Sequence, residues 1–167
     1  MPAAKAALTR PTEQPLRAPR MHHIAIQTRN LENCRAWYQD FFGCHVSWSL
    51  STFNELTLSR LPGITQLTEL VVGDLRFHLF ERDSNGLHDL TIGAVQFQHV
   101  CMSVNSHREL DDWRNRWLDL FASGRYKFAL PDPPTDMVVD ERGIENFYAF
   151  DVNGLEFEFT YVPRGAS

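Results

Sequence analysis

From Met21 onward the chain alternates and then turns helical. In His22-His23-Ile24-Ala25-Ile26-Gln27, Ile24 and Ile26 fall on one face and His23, Ala25 and Gln27 on the other, which predicts a strand. Asn30 offers an N-cap, and Leu31, Cys34, Trp37, Tyr38 and Phe41 then recur at helical spacing as far as Phe42, where Gly43 supplies the stop. Strands are predicted at 45–50, 66–72 and 75–81, while 51–65 is less legible apart from a turn at Pro62-Gly63. The pattern then begins again. Gln98 to Val104 alternates with Val100, Met102 and Val104 on the apolar side. Ser106 and Glu109 form a capping box, and Leu110, Trp113, Trp117, Leu120 and Phe121 stripe a second helix that ends near Gly124.

The two halves are in register. His23 precedes Trp37 by 14 residues and His99 precedes Trp113 by the same 14, an offset of 76 for both pairs. Leu75-Arg76-Phe77-His78 answers Leu155-Glu156-Phe157-Glu158 at an offset of 80, each after a glycine turn. This predicts an α+β fold of two tandem βαβββ modules, forming a curved mixed sheet with helices on its outer face. Module 1 covers about 21–81, a linker 82–97 and module 2 about 98–162, together a single domain; 163–167 is a tail. Residues 1–20 carry prolines that break any period, four basic residues and one acid, and read as a disordered leader. Strand phase sends Ile24, Phe77, Val100 and Phe157 to the helices and His23, His78, His99 and Glu158 to the opposite face. Three histidines and a carboxylate at matching repeat positions predict a metal site cupped by the sheet, because burying such groups on one surface without an ion or substrate is costly. His22, His45, His88 and His107 join no such pattern.

Composition narrows the classes. With 167 residues, 43% hydrophobic and 22% charged, the chain can bury a core. A net charge of −5 argues against nucleic-acid binding by phosphate neutralisation, and no apolar run is long enough to span a membrane. The three cysteines show neither a disulfide framework nor zinc-ribbon spacing, and a cytoplasmic location is expected. Trp48, Phe53, Trp113, Trp117 and Phe121 look exposed enough for a homo-oligomer to bury some of them.

His23-Ile24-Ala25-Ile26 and Asp151-Val152-Asn153-Gly154-Leu155-Glu156-Phe157-Glu158, in their repeat, resemble the vicinal-oxygen-chelate superfamily: glyoxalase I, fosfomycin-resistance and bleomycin-binding proteins, methylmalonyl-CoA epimerase and extradiol dioxygenases. In that family's turn the ligand acid lies four residues after the glycine, which selects Glu158; Val152 stands where proline is usual. Because His78 replaces the carboxylate of glyoxalase-like members, the chain is most similar to the extradiol enzymes, in particular the small single-domain L-DOPA 2,3-dioxygenases of antibiotic pathways. The resemblance implies Fe(II) held by His23, His99 and Glu158, with His78 as acid–base and Tyr148, ten residues before Glu158, hydrogen-bonded to a substrate oxygen. The partners implied are a small catechol and O₂, cleaved to a semialdehyde. Arg76, on the strand phase of His78, and Arg142 are candidates for a substrate carboxylate. The signature's upstream histidine is missing, its place taken by Asp140, Glu141 and Arg142. Two other readings remain: a redox-neutral lyase or isomerase with Ni, Co or Zn on all four residues, and a metal-free drug-binding resistance protein.

Overall fold

The computed structural model describes residues 21–83 and 99–165. The proposed leader, almost all of the linker, Gln98 and His88 lie outside them. Eleven elements follow one another among the described residues: β1 (Ile24–Thr28), α1 (Leu31–Phe42), β2 (His45–Leu50), α2 (Glu55–Arg60), β3 (Ile64–Val72), β4 (Leu75–Arg82), β5 (His99–Val104), α3 (His107–Ala122), β6 (Val138–Val139), β7 (Glu145–Phe150) and β8 (Glu156–Tyr161).

The strands form two four-stranded sheets of the same topology, β1-β4-β3-β2 and β5-β8-β7-β6. In each, the first strand runs parallel to the last and the remaining pairs are antiparallel. The repeat extends to the register: Ile24 lies opposite Phe77 and Val100 opposite Phe157. The expected α+β arrangement of paired βαβββ modules is therefore what the chain adopts. One detail differs. β1 and β5 are edge strands of separate sheets rather than neighbours in one continuous sheet.

Local chemistry explains the helices. Asn30 Oδ1 accepts from Asn33 N at 3.1 Å, and Gly43 closes α1 at φ +75°, where a side chain would be strained. The first turn of α1 has a second acceptor, Glu81, whose Oε1 lies 3.1 Å from Leu31 N. A carboxylate there satisfies an orphan donor and opposes the positive helix end. At α3, Ser106 Oγ caps Glu109 N at 3.1 Å, but the Glu109 carboxylate accepts from Asn105 N, one residue before the cap. Within 51–65, where no period is legible, the structure forms α2, capped by Asn54.

Strand phase falls as expected. Phe77, Leu79, Phe157 and Phe159 are buried beneath the helices. α1 contributes Leu31, Cys34, Trp37, Tyr38, Phe41 and also Phe42, and it packs on both modules: Phe42 stacks obliquely on Phe77 at 5.1 Å and on Phe157 at 5.5 Å. Tyr38 donates to Asp151 Oδ2 at 2.9 Å across 113 residues. Asp151 is fully buried, and its Oδ1 accepts from Asn153 N and Leu155 N at 2.8 Å each, shaping the turn into β8 with Gly154 at φ +87°. The missing proline at 152 is thus offset by an Asx-type turn. Trp117 is 1% exposed and donates to Phe150 O, and Trp113 packs on Phe41 and Phe159, so helix packing already covers these two tryptophans.

Candidate functional site

The faces turned away from the helices carry two polar clusters, one per module. In module 1, His78 on β4 lies opposite Ala25 of β1 and Glu69 of β3. Glu69 Oε2 is 2.9 Å from His78 Nε2, and Oε1 accepts from Arg76 at 3.1 Å. Although its carboxylate carries charge, Glu69 is only 3% exposed. Burial alone would raise its pKa, but hydrogen bonds from His78 and Ser47 and the Arg76 charge outweigh it, holding the carboxyl below the usual range. Trp48, opposite Glu69 on β2, meets the His78 ring edge-on at 5.2 Å.

His23, just before β1, stacks on His78 with centroids 3.7 Å apart and planes 12° from parallel. His22 completes the group, its Nδ1 2.9 Å from His23 Nδ1. The sequence assigned His22 no partners; chain adjacency alone does not show that two neighbouring histidines turn toward each other where the strand begins. Desolvation, followed by the neighbouring His78 and His22 rings, lowers the His23 pKa, with Glu69 partly opposing, so that His23 favours its neutral, ligand-competent form.

In module 2, His99 on β5 places Nε2 3.1 Å from Glu158 Oε2 on β8. Tyr148 on β7 lies directly opposite Glu158 and donates its hydroxyl to Oε1 at 3.3 Å. Cys101, opposite Glu158 on β5, completes the cluster. Desolvation, then the Glu158 carboxylate, raises the Tyr148 hydroxyl and pushes the Cys101 thiol up to about 11, so both stay protonated donors at neutral pH.

The structure therefore unites His23 with His78, and His99 with Glu158 and Tyr148. Arg76 reaches the first cluster through Glu69 and keeps 42% of its side chain exposed. Arg142 sits in the turn before β7, 68% exposed and paired with Asp140 at 3.5 Å, apart from both clusters. Among the described residues, no three of His, Cys, Asp and Glu are grouped so as to hold one metal ion. The donor types suit a divalent metal, while their grouping into two pairs does not.

Glu69 and Cys101 were missed by the sequence reading. Their only signal was strand phase: Glu69 occupies in module 1 the cross-strand position that Tyr148 holds in module 2. His107, left without a constellation, pairs with Glu145 and with Asp111 at 3.2 Å on the module surface.

A cavity of about 370 Å³ opens over the module 1 cluster, lined by His23, His78, Ala25 and Phe80, by Leu56 of α2 and by Leu61 just after it. A second, of about 450 Å³, lies between the modules and is mostly apolar, with Ile24, Leu75 and Val100 among its walls and Ser103 and Glu109 its polar members. No helix among the described residues is long and apolar enough to cross a membrane.

No family model matches the sequence, and no curated protein matches it. Solved structures do. A glyoxylase/bleomycin resistance protein/dioxygenase domain from Frankia sp. EAN1pec superposes with a TM-score of 0.66 at 15% identity, covering 89% of this chain and 95% of the other. Lactoylglutathione lyase from Agrobacterium tumefaciens gives 0.54 at 22% identity, with 92% and 97% covered. The fosfomycin resistance protein FosX from Listeria monocytogenes, crystallised with Mn(II) and sulfate, gives 0.53 at 18% identity, with 88% and 95% covered. At such identities the likeness is one of fold: the chain has the paired-module architecture of the glyoxalase, bleomycin resistance and dioxygenase proteins.

Proposed function

We propose that the protein is an extradiol dioxygenase that opens a small catechol such as L-DOPA with O₂, using Fe(II) bound by His23, His99 and Glu158. The observation that carries this reading is the Glu69–His78 pair. Its hydrogen bond occupies His78 Nε2, and the buried carboxylate orients the imidazole so that Nδ1 is left to exchange a proton. A neutral His78 can take a proton from a catechol hydroxyl and later return it, with Glu69 stabilising the imidazolium in between. Tyr148, whose hydroxyl donates to Glu158 Oε1, would donate to a substrate oxygen instead. The exposed part of the Arg76 guanidinium offers donors to a substrate carboxylate, and Arg142 would need its turn to approach.

Binding of one ion by these three residues requires the two pairs to close on it. Protein prepared without oxygen and loaded with Fe(II), then given catechols and air, should turn yellow with a ring-opened semialdehyde while O₂ is consumed. Colourless mixtures and unchanged oxygen across the catechols, L-DOPA included, overturn the reading. His78→Gln should lower turnover and retain iron, whereas Glu158→Gln should lose the metal.

The fold shared with a lactoylglutathione lyase and with an Mn(II)-containing FosX favours a second reading, a redox-neutral lyase or isomerase in which His78 also binds the metal. Activity without oxygen, and loss of metal in His78→Gln, would select it.

A further inference from the structure

We propose that His22 and His23 form a two-imidazole site for a late divalent transition metal, separate from the His99–Glu158 pair. The site goes beyond the dioxygenase reading and uses neither His99 nor Glu158. It begins with a departure from strand geometry. Along a regular strand, neighbouring side chains point to opposite faces. His22 and His23 are neighbours, yet they converge: Nδ1 of one lies 2.9 Å from Nδ1 of the other. They can do so because both precede Ile24, the first residue of β1 and the first paired with β4. Both residues are exposed, so an ion reaches them from solvent.

The spacing is that of two donors on one ion. Imidazole nitrogens bind such metals at about 2.0–2.1 Å, so two of them at a right angle stand about 3 Å apart. The ring planes are 87° apart, which lets both meet a common point without clashing. His78 is not a third donor. Its ring runs alongside His23, with centroids 3.7 Å apart and planes 12° from parallel, so its in-plane lone pair cannot aim at the same point. It acts instead as a support for the His23 plane, with Nε2 anchored by Glu69. Two protein donors leave the other positions to water, in keeping with the absence of any three-donor group among the described residues. An imidazole pair favours Ni(II), Cu(II) or Zn(II) over Fe(II), which stands lower in the affinity order. His107 is also exposed but makes a poorer site, because its nitrogens face different carboxylates, Nδ1 that of Glu145 and Nε2 that of Asp111. His23 serves one ion at a time, so a late metal held here competes with Fe(II) at the proposed centre; this consequence alone rests on the dioxygenase reading.

Calorimetric titration of the untagged, metal-free full-length protein with Ni(II) tests this, followed in parallel by proton NMR of the imidazoles. Wild type should take up one equivalent, and the ring resonances of His22 and His23 should broaden before those of His99 and His107. His22→Ala, at an exposed position, should weaken binding by about tenfold or more, as loss of a metal partner commonly does. Glu158→Gln should bind Ni(II) as wild type does. Wild type that takes up no Ni(II) reduces the contact to a hydrogen bond between the rings and overturns the site. Binding unchanged in His22→Ala, or lost in Glu158→Gln, overturns it as well. Absence of ring opening by the iron-loaded wild type overturns instead the dioxygenase reading and leaves this site standing.

Discussion

Glu69 and His78 face each other across the β3–β4 ladder with Oε2 2.9 Å from Nε2, at the position where the second module sets Tyr148 against Glu158. One fold position therefore carries a carboxylate–imidazole pair in one repeat and a phenol–carboxylate pair in the other. Glu69→Gln keeps a hydrogen-bonding partner for His78 but removes the charge that would stabilise its protonated form. It should lower kcat by about ten- to a hundredfold with metal content unchanged, as partners one step removed from the chemistry commonly do. Parallel steady-state kinetics and elemental analysis check this; loss of the metal would instead mark His78 as a ligand.

Asp151 ties α1 of the first module to the last turn of the second. Asp151→Ala leaves the buried Tyr38 hydroxyl and the amides of Asn153 and Leu155 without their acceptor. The loss should be about 3 kcal/mol, read as a lower urea midpoint, since each stranded buried donor costs about 1–3 kcal/mol before relaxation. Tyr38→Phe removes one of the four bonds that Asp151 accepts, the fourth coming from Asn153 Nδ2, and should cost less.

The aromatic core crosses the module boundary through Phe42, Phe157 and Tyr38. Phe157, 1% exposed, should cost about 3–5 kcal/mol when truncated to Ala, from lost transfer energy plus the cavity left behind. Because α1 packs on both sheets, the two modules should unfold in one transition; a denaturation curve that resolves into two steps in this variant would contradict a shared core.

His107 responds to pH in a defined direction. Its hydrogen bond to Glu145, then the charges of Glu145 and Asp111, raises its pKa above the ordinary imidazole value. A raised folded-state pKa means that the pair's contribution is fully present below the ordinary value and is lost as pH rises through the raised one. The imidazole proton resonance of His107 should therefore titrate above the free-histidine midpoint, and Glu145→Gln should return it toward that midpoint.

Period and phase were legible in the sequence. Apolar alternation at Ile24 and Ile26, the Asn30 cap, the α1 stripe and the 76- and 80-residue offsets led to two βαβββ modules, and the structure has them. The phase of β4 and β8 likewise put Phe77 and Phe157 under the helices, and His78 and Glu158 on the other face. Short or irregular pieces left no period to read. α2 has six residues, too few for a stripe, and β6 has two.

The sequence by itself determined which side chains share a face, because a strand's two-residue repeat and a helix's 3.6-residue repeat are properties of the local backbone. Which of those side chains touch was decided only by tertiary structure. Glu69 meets His78 because β3 and β4 pair in one register, and a shift of one residue would turn Glu69 to the core. Tyr38 meets Asp151 across 113 residues because α1 lies over both sheets. The division of the four repeat-matched residues into a His23–His78 stack and a His99–Glu158 pair is of the same kind. It follows from two sheets that share a core but no ladder, a packing relation to which no local period refers.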